Sequence, residues 1–537
     1  MKRVAVTVGL WLLASTLCAA ARDRDRDSLE PLDTRDFDRT AAAHLLRRAG
    51  FGGTSVEVDQ LAELGLAAAV DHLVNYRKIR YQPDPPPIAE ILLEPPDRKK
   101  MAELSKEERR KLGEKRRKAE REAFEEVRLW WLERMVESPR PLEEKMTLFW
   151  HGRFTSGMRE VRNAIFMKEQ NEFLRRHALD NYRELLLGIG KDRAMLIYLD
   201  GNRNRKQHPN ENYARELMEL FSLGVGNYTE ADMKQAARAF TGWAFNRDGF
   251  WYNRRQHDYG KKRFLGKSGR FDGDDIVEII LEQPACSRYL SRKLLEFFCR
   301  PNPEKKLIDG LAKEIRRHKY ELAPVMRTLF MSRAFYSDAS RGALIKSPVE
   351  LVVGAARQFG VPIKNLRIAE RAIANMGQEI MQPPNVKGWD GGEKWINTAT
   401  LFARYNVVGG LINGVPAQRA RNNKPNATDN ANAGSENTMT MMAQGKSKAR
   451  SRLRGEAQPA LEPLKTIRAR RLKDADQIVN LYVRDLLAVN LDAAKRQALV
   501  DYLGGDVKRL DPHARGASTR LRRLIHLICS TPEYQMN

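Results

Sequence analysis

The strongest constraint on the fold of this chain is the spacing of its apolar residues, which recur every three or four positions over most of its length. That period lines one face of an α-helix rather than one face of a strand. The first run ends at Gly50, a residue type that often follows the last helical turn. Similar runs continue to residue 359, among them one continuous helix predicted over residues 160–187, and they resume over residues 475–529. We therefore predict a mainly α fold, built as one large multi-helix domain.

Two segments depart from the helical spacing. Residues 249–269 mix aromatic and basic side chains with glycines, so we predict a short irregular or hairpin segment near residues 245–270. Residues 415–464 are rich in Asn, Ala, Ser, Gly, Lys and Arg and show little apolar periodicity. Such a composition cannot bury enough apolar surface to offset the entropy of ordering. We predict a disordered insert there.

The first 21 residues are ordered like a secretory signal. Lys2 and Arg3 precede an apolar run over residues 4–17, and small residues follow at 19–21. A run of 14 residues is short against the ~20 residues that span a bilayer. A cleavable signal is therefore favoured over a membrane anchor, and we expect a secreted or periplasmic protein.

These features divide the 537 residues into five parts. We predict a signal peptide (1–21), a flexible lead-in (22–38), the main helical domain (39–414), the disordered insert (415–464) and C-terminal helices that complete the main domain (465–537). The 42% hydrophobic content is sufficient for a substantial core.

The chain is strongly basic, with 94 basic and 69 acidic side chains and a net charge of +25. This charge favours acidic partners, such as an anionic polysaccharide or a membrane surface. Nucleic acid is not expected as a partner, because the chain is predicted to leave the cytoplasm. The highly charged residues 105–136 are interpreted as a solvated helix held by its own ion pairs, with a nucleic-acid arm as the alternative.

A segment rich in carboxylates, residues 208–224, is predicted to form an amphipathic helix that starts after Pro209 and ends at Gly224. Opposite the apolar face lie Glu211, Arg215, Glu219 and Ser222, with Asn212 and Glu216 beside them. The three glutamates are catalytic candidates, and Asn210, Asn212 and Arg215 are candidates for ligand binding. One interpretation is a solvent face joined by ion pairs. The other is a polar stripe lining a cleft, where carboxylates bind a cation or share a proton.

Two histidine positions are candidates for catalysis. His151 ends an amphipathic helix and is predicted to point away from its apolar stripe, as a surface or hydrogen-bonding residue or as a catalytic group. His257 and Asp258 lie in the irregular segment, where they would act as a base and its orienting group if the fold brought them to the Glu-rich helix. No cysteine or histidine spacing typical of a metal site is present, so no metal ligands are predicted and the cofactor is left open.

A loop rich in proline, glycine and tryptophan covers residues 383–397. Its candidate ligand-binding side chains are Lys387, Trp389, Asp390, Trp395 and Asn397. The tryptophans are interpreted either as a stacking surface for a flat ligand such as a sugar ring, or as plugs that fix the loop to the core.

Five of these segments together resemble a bacterial family of exported proteins, domain of unknown function 1800. The resemblance rests on residues 44–52, 146–154, 209–221, 239–243 and 383–389, in the family's order and across nearly the whole mature chain. The family tends to show Trp-His-Asn-His-Phe where this chain has Gly152 and Arg153 after His151, which weakens the case for a metal site there. The resemblance implies a largely helical exported protein and an association with another exported family, domain of unknown function 1501. It implies no reaction.

Three hypotheses of function follow. The first is an exported accessory or binding protein at the cell envelope. The second is a hydrolase-like enzyme that uses Glu211, Glu216 or Glu219 with His151, or with His257 and Asp258. The third is carbohydrate binding through Trp389 and Trp395.

Overall fold

The computed structural model describes residues 27–88, 98–414, 458–504 and 510–537. The predicted signal peptide and most of the predicted insert lie outside these residues. The described part is mainly helical, with 24 α-helices and few short strands, as the apolar spacing predicts.

The first half of the chain is a succession of helices. They are α1 Arg39–Ala49, α2 Ser55–Leu64, α3 Leu66–Val74, α4 Arg98–Glu103, α5 Lys106–Glu137, α6 Pro141–Arg153, α7 Met158–Val161, α8 Ala164–Arg176, α9 Tyr182–Lys191, α10 Arg193–Tyr198, α11 Asn212–Glu216 and α12 Glu230–Ala239. Residues 160–187, which the sequence suggested as one helix, are broken because Arg162 adopts a left-handed conformation and Asn163 and Asn181 each cap a new helix.

Two antiparallel hairpins follow α12 and form the predicted irregular segment. Strands β1 Trp243–Asn246 and β2 Gly249–Tyr252 pair with each other. Strands β3 Lys262–Phe264 and β4 Lys267–Gly269 form the second pair. The hairpin prediction is confirmed.

Helices resume after the hairpins. They are α13 Gly273–Glu282, α14 Pro284–Phe298, α15 Lys305–Arg317, α16 Leu322–Met331, α17 Arg333–Tyr336, α18 Pro348–Phe359, α19 Leu366–Asn375, α20 Thr398–Asn413, α21 Pro463–Ala469, α22 Ala475–Leu486, α23 Ala493–Gly504 and α24 Ala517–Cys529. No helix among the described residues has the length and apolar content of a membrane span.

Side-chain caps explain where several helices begin. Thr54, Ser105, Thr229 and Ser347 each accept a hydrogen bond from a backbone amide three residues on, and an acidic side chain at that position bonds back to the cap. This reciprocal arrangement satisfies two amides that the helix leaves without partners. The cap at Ser105 begins α5, whose first half is exposed and carries ion pairs at four-residue spacing.

The buried apolar side chains form two clusters. The first core draws on residues between 37 and 336, and the second gathers Phe51, parts of residues 123–194 and the helices from 349 onward. Helix α6 contributes Met146 and Trp150 to the first core and Leu148 to the second. It therefore runs between the two cores, and every residue from Pro141 to His151 is buried.

Segments predicted to be flexible are partly held by the helices around them. In the lead-in, the Leu32 amide donates to the Met331 carbonyl. At the described end of the insert, the Leu461 amide donates to the Ile412 carbonyl. Residues 463–464 already belong to α21.

Candidate functional site

The loop at residues 383–389 docks directly on the C-terminal end of α6. The Thr155 hydroxyl donates to the Val386 carbonyl at 2.6 Å. At Gly388 the φ angle is +82°, and a Cβ there would stand 2.6 Å from the Gly152 carbonyl oxygen. Only glycine permits both this backbone conformation and this close approach. Two segments singled out in the sequence, 146–154 and 383–389, therefore meet in the fold.

Beside this contact lies a cleft of about 600 Å³, which we call the loop cleft. Its wall comes from α7, the end of α10 and the approach to the loop. The lining residues with polar or aromatic side chains are Arg159, Glu160, Tyr198, Glu379, Gln382, Asn385 and Trp389. Trp389 is half-buried, so one part of its indole packs on the protein and another part faces the cleft.

His151 lies behind Trp389, not on the surface. Its imidazole is 2% exposed and sits edge-on to Trp131, with ring centroids 5.1 Å apart, and 5.7 Å from the Trp389 ring. Burial lowers the pKa of His151 to about 4, so the ring is neutral at pH 7. Nε2 has no hydrogen-bond partner among the described residues. The side of α6 opposite its apolar stripe, where His151 was predicted, is also buried, and its charged residues Glu143, Glu144 and Lys145 form ion pairs inside the protein.

The Glu-rich helix changes its winding in the middle. Helix α11 ends at Glu216, and residues Leu217–Ser222 continue as a π-helix. The Ser222 hydroxyl donates to the Leu217 carbonyl, five residues back, at 2.5 Å. A π-helical stretch of this kind shifts the side chains that follow it and occurs often at functional sites. Apolar periodicity carries no signal for it, which is why the sequence suggests one continuous helix.

The carboxylates of this helix have different environments. Glu211 faces Arg215 at 3.4 Å, and Arg215 also reaches Glu230 at 3.6 Å, as in the ion-pair interpretation. Glu219 accepts a hydrogen bond from the Tyr228 hydroxyl at 3.4 Å. Glu216 is half-buried, and its pKa is raised by burial and by the neighbouring Glu219.

Glu216 also connects the helix to the loop cleft. The positive charge of Lys387 acts against the rise in the Glu216 pKa, and the charge of Glu216 contributes to a raised pKa of Tyr198, which is raised mainly by burial. Tyr198 lines the cleft, and Lys387 lies two residues before Trp389 in the loop. Glu216 and Lys387 therefore interact electrostatically next to the cleft without belonging to its lining, whereas His151 packs against Trp389. Of the other polar residues, Asn212 is exposed, and the Asn210 amide donates to Asn204 Oδ1.

His257 and Asp258 have other partners. His257 is buried between the rings of Tyr252 and Tyr259, and its Nδ1 is 2.9 Å from the Thr241 carbonyl. Asp258 pairs with Arg238 at 2.7 Å. The hydrogen bonds and ion pairs of these two residues run to α12 and the hairpins and not to the Glu-rich helix. The structure does not bring them together with His151 or Glu216.

The remaining loop residues have structural contacts. Trp395 is 7% exposed and packs over Gly377, which matches the interpretation of a plug and leaves little of its ring free for a ligand. Asp390 pairs with Lys394 at 2.5 Å. Asn397 caps α20 by accepting from the Thr400 amide at 2.9 Å. The two tryptophans therefore do not form one stacking surface.

Several residues of the cleft had no role in the sequence-based hypotheses. They are Arg159, Glu160, Tyr198, Glu379 and Gln382. None belongs to a motif found in the sequence, and only Gln382 is adjacent to one, the loop that begins with the two prolines. Within the described ranges no group of three or more His, Cys, Asp or Glu side chains is arranged to hold a metal ion.

Comparison with known proteins agrees with the motifs. The family model described as "Protein of unknown function (DUF1800)" matches residues 44–536. No curated protein and no solved structure shows significant similarity to the chain.

Proposed function

The chain belongs to the DUF1800 family of proteins of unknown function, and we propose that it is an exported binding protein of the cell envelope that takes a hydroxyl-rich ligand, a sugar residue, in the loop cleft. The family match covers nearly the whole chain and supplies no reaction. The proposal therefore rests on the site.

The observation that carries the proposal is the half-buried Trp389 at the wall of a polar cleft. Sugar rings present an apolar face that stacks on an indole, and hydroxyl groups that bond to carboxylates and amides. The walls supply both kinds of partner, because Glu160, Gln382 and Asn385 line the same cleft as Trp389. A cleft of about 600 Å³ has the size of a small-molecule site.

The surroundings hold Trp389 in place. The buried, neutral ring of His151 packs behind it, and the close approach of Gly388 to Gly152 fixes the backbone next to it. His151 is a positioning residue in this proposal. A ligand in the cleft meets Trp389 before it can reach the imidazole.

Ligand binding is tested by titrating the full chain with neutral oligosaccharides and following tryptophan fluorescence. We expect a saturable change for at least one glycan, and its loss in Trp389→Ala. Phe402→Ala is the matched control, because Phe402 is an exposed aromatic residue on α20. The proposal fails if no glycan of a broad panel binds, or if Trp389→Ala binds as tightly as the Phe402 variant.

Export forms the second part of the proposal, supported by the order of charges, apolar residues and small residues in positions 1–21. Association with an exported DUF1501 protein is proposed on the family resemblance. The test is the N-terminal sequence of the protein isolated from its native cells. A chain that begins near residue 21 in the periplasm or the medium supports export, whereas an intact Met1 in the cytosol contradicts it.

One observation favours a second candidate, a glycan hydrolase. The raised pKa of Glu216 suits a general acid, and the neighbouring Glu219 keeps a second carboxylate close. If this candidate is correct, Glu216→Gln abolishes release of reducing sugar from the glycan that binds, while its affinity for that glycan stays. Binding with no turnover by the wild-type chain eliminates it.

A further inference from the structure

A second cleft, distinct in its residues from the loop cleft, lies between α12 and the β3–β4 hairpin. It has a volume of about 710 Å³, and we call it the hairpin cleft. Its wall is made mostly of polar and charged side chains. They are Thr229, Asp232, Gln235, Arg238, Lys261, Lys262, Arg263 and Ser268.

One side of the hairpin cleft is formed by a strongly basic segment of the chain. Residues 247–270 contain eight basic and two acidic side chains. In the cleft itself, four cations face one carboxylate, that of Asp232. An excess of one sign in a concave site focuses the potential and attracts ligands of the opposite charge.

The nearby carboxylates are already bonded to other groups. Asp232 accepts from the Thr229 hydroxyl at 2.6 Å and from the Leu265 amide at 2.9 Å. Asp258 is bound by Arg238 through both of its oxygens, at 2.7 and 3.2 Å. Asp232 is therefore held by neutral donors, and Asp258 is held by the structural residue Arg238.

Two of the four cations build the wall and two are exposed. Arg238 is bound to Asp258, and the buried Lys262 ammonium donates to the backbone carbonyls of Asp258 and Gly260, at 2.5 and 3.2 Å. Lys261 and Arg263 are exposed and form no salt bridge within the described residues, and the charge of Arg263 lowers the pKa of Asp232. A lysine and an arginine with donors open to solvent suit a ligand carboxylate or sulfate.

An exposed aromatic ring lies close to the cleft along the chain, although it is not part of the lining. Tyr259, two residues before Lys261, is 57% exposed. Its ring is held edge-on to the buried His257, with centroids 4.7 Å apart. An exposed ring fixed in this way offers a face on which a sugar can stack.

We propose that the hairpin cleft binds an acidic polysaccharide, with Lys261 and Arg263 on its carboxylate or sulfate groups and Tyr259 against a sugar ring. The recessed shape favours a polymer chain over a lipid bilayer, since surface binding to a bilayer relies on apolar side chains that enter it. Leu265 and Ala231 are the only such side chains in the lining. This site is independent of the loop cleft, so either can fail without the other.

The test is a titration of the full chain with a short oligogalacturonate, a short sulfated galactan and the neutral, methyl-esterified form of the first, over a series of salt concentrations. We expect at least one acidic glycan to bind and the neutral form not to bind. The double variant Lys261→Ala/Arg263→Ala should lower the affinity roughly tenfold and flatten its salt dependence. Lys305→Ala/Lys306→Ala is the control, because it removes the same net charge from exposed positions of α15.

Each alternative outcome counts against the proposal. Equal binding of the neutral form removes the role of charge, and equal affinities of the two double variants remove the role of this cleft. Vesicles of phosphatidylglycerol and phosphatidylcholine supply the last arm. If the vesicles bind through Lys261 and Arg263 and no acidic glycan binds, the cleft binds a membrane surface and the proposal of a polysaccharide ligand is wrong.

Discussion

Glu144 illustrates, at the scale of single residues, what this fold does with buried charge. Its carboxylate is fully buried and accepts from Arg134 at 2.9 Å, Arg175 at 2.8 Å and the indole of Trp131 at 3.1 Å. The two guanidinium groups lower the pKa of Glu144 against the opposing effect of burial. A charge without these partners would be very costly inside the core.

Removing this carboxylate should therefore strongly destabilise the folded protein. We expect Glu144→Ala to reduce the free energy of unfolding by about 3–5 kcal/mol, because two arginines lose their buried partner. Urea unfolding measures the change. In Glu114→Ala, which breaks an exposed pair with Arg110, the loss should stay below about 1 kcal/mol. Similar losses in the two variants would contradict the pairing around Glu144.

A second residue-scale prediction concerns acid. The pKa of His151 is about 4 in the folded protein against 6.5 for a free side chain, so the unfolded chain takes up a proton at this position first as the pH falls. The stability that depends on a neutral His151 is full above pH 6.5 and is lost between pH 6.5 and 4, by roughly 3 kcal/mol in total.

The pH dependence is measured as unfolding free energy for the wild type and for His151→Gln, which cannot titrate. We expect the wild type to lose more stability than the variant over that window. Parallel curves would show that the imidazole titrates normally and is not buried behind Trp389.

At the scale of elements, the contact between α6 and the loop at 383–389 organises the candidate site. The contact depends on one glycine, because the backbone of Gly388 lies against the carbonyl of Gly152. A single added methyl group at Gly388 would therefore displace the loop. The loop cleft and the orientation of Trp389 depend on that contact.

Gly388→Ala tests this dependence. Its Cβ would lie 2.6 Å from the Gly152 oxygen, whereas Gly226 has a similar φ of +88° and open space around it. Both substitutions strain the backbone, by about 1–3 kcal/mol, so Gly226→Ala is the matched control. We expect only Gly388→Ala to shift the fluorescence of Trp389 and to weaken glycan binding. Unchanged emission and affinity would contradict the docked loop.

For the molecule as a whole, the residues on either side of the predicted insert lie next to each other. A Cβ on Gly414 would be 2.6 Å from the Gln458 carbonyl oxygen, and Leu461 bonds back to Ile412. The second core contains residues from both sides, such as Val408 and Ile478. The chain between residues 415 and 457 therefore begins and ends at nearly the same point.

We expect that replacing residues 415–457 by a short Gly-Ser linker leaves the fold intact, because the ends need no extra length to meet and a shorter loop has a smaller closure entropy. Circular dichroism and the urea midpoint should match those of the full chain. A large loss of stability would show that the segment packs on the domain and would contradict the predicted disordered insert.

Much of the fold was predictable because its cause is local. The apolar period and the glycines of the hairpin segment act over a few positions, and they predicted the helices and the irregular or hairpin segment near residues 245–270. Capping residues such as Ser105 and Ser347, which set where helices begin, act over an equally short range. The family resemblance also came from short motifs in order. The break at Arg162 and the π-helix after Glu216 were missed because packing, not periodicity, decides them.

The amino-acid sequence predicts a mainly helical chain with an interrupted middle. It also marks candidate site residues, which include His151, Glu211, Glu216, Glu219, His257, Asp258, Trp389 and Trp395. Which of these residues meet depends on the tertiary structure. In the structure, His151 lies behind Trp389, Glu216 lies near Lys387, and His257 and Asp258 lie at the hairpins. Contacts between residues more than a hundred positions apart follow from how helices pack around two cores and from which buried charges find partners. Neither can be predicted from the spacing of residues within a single segment.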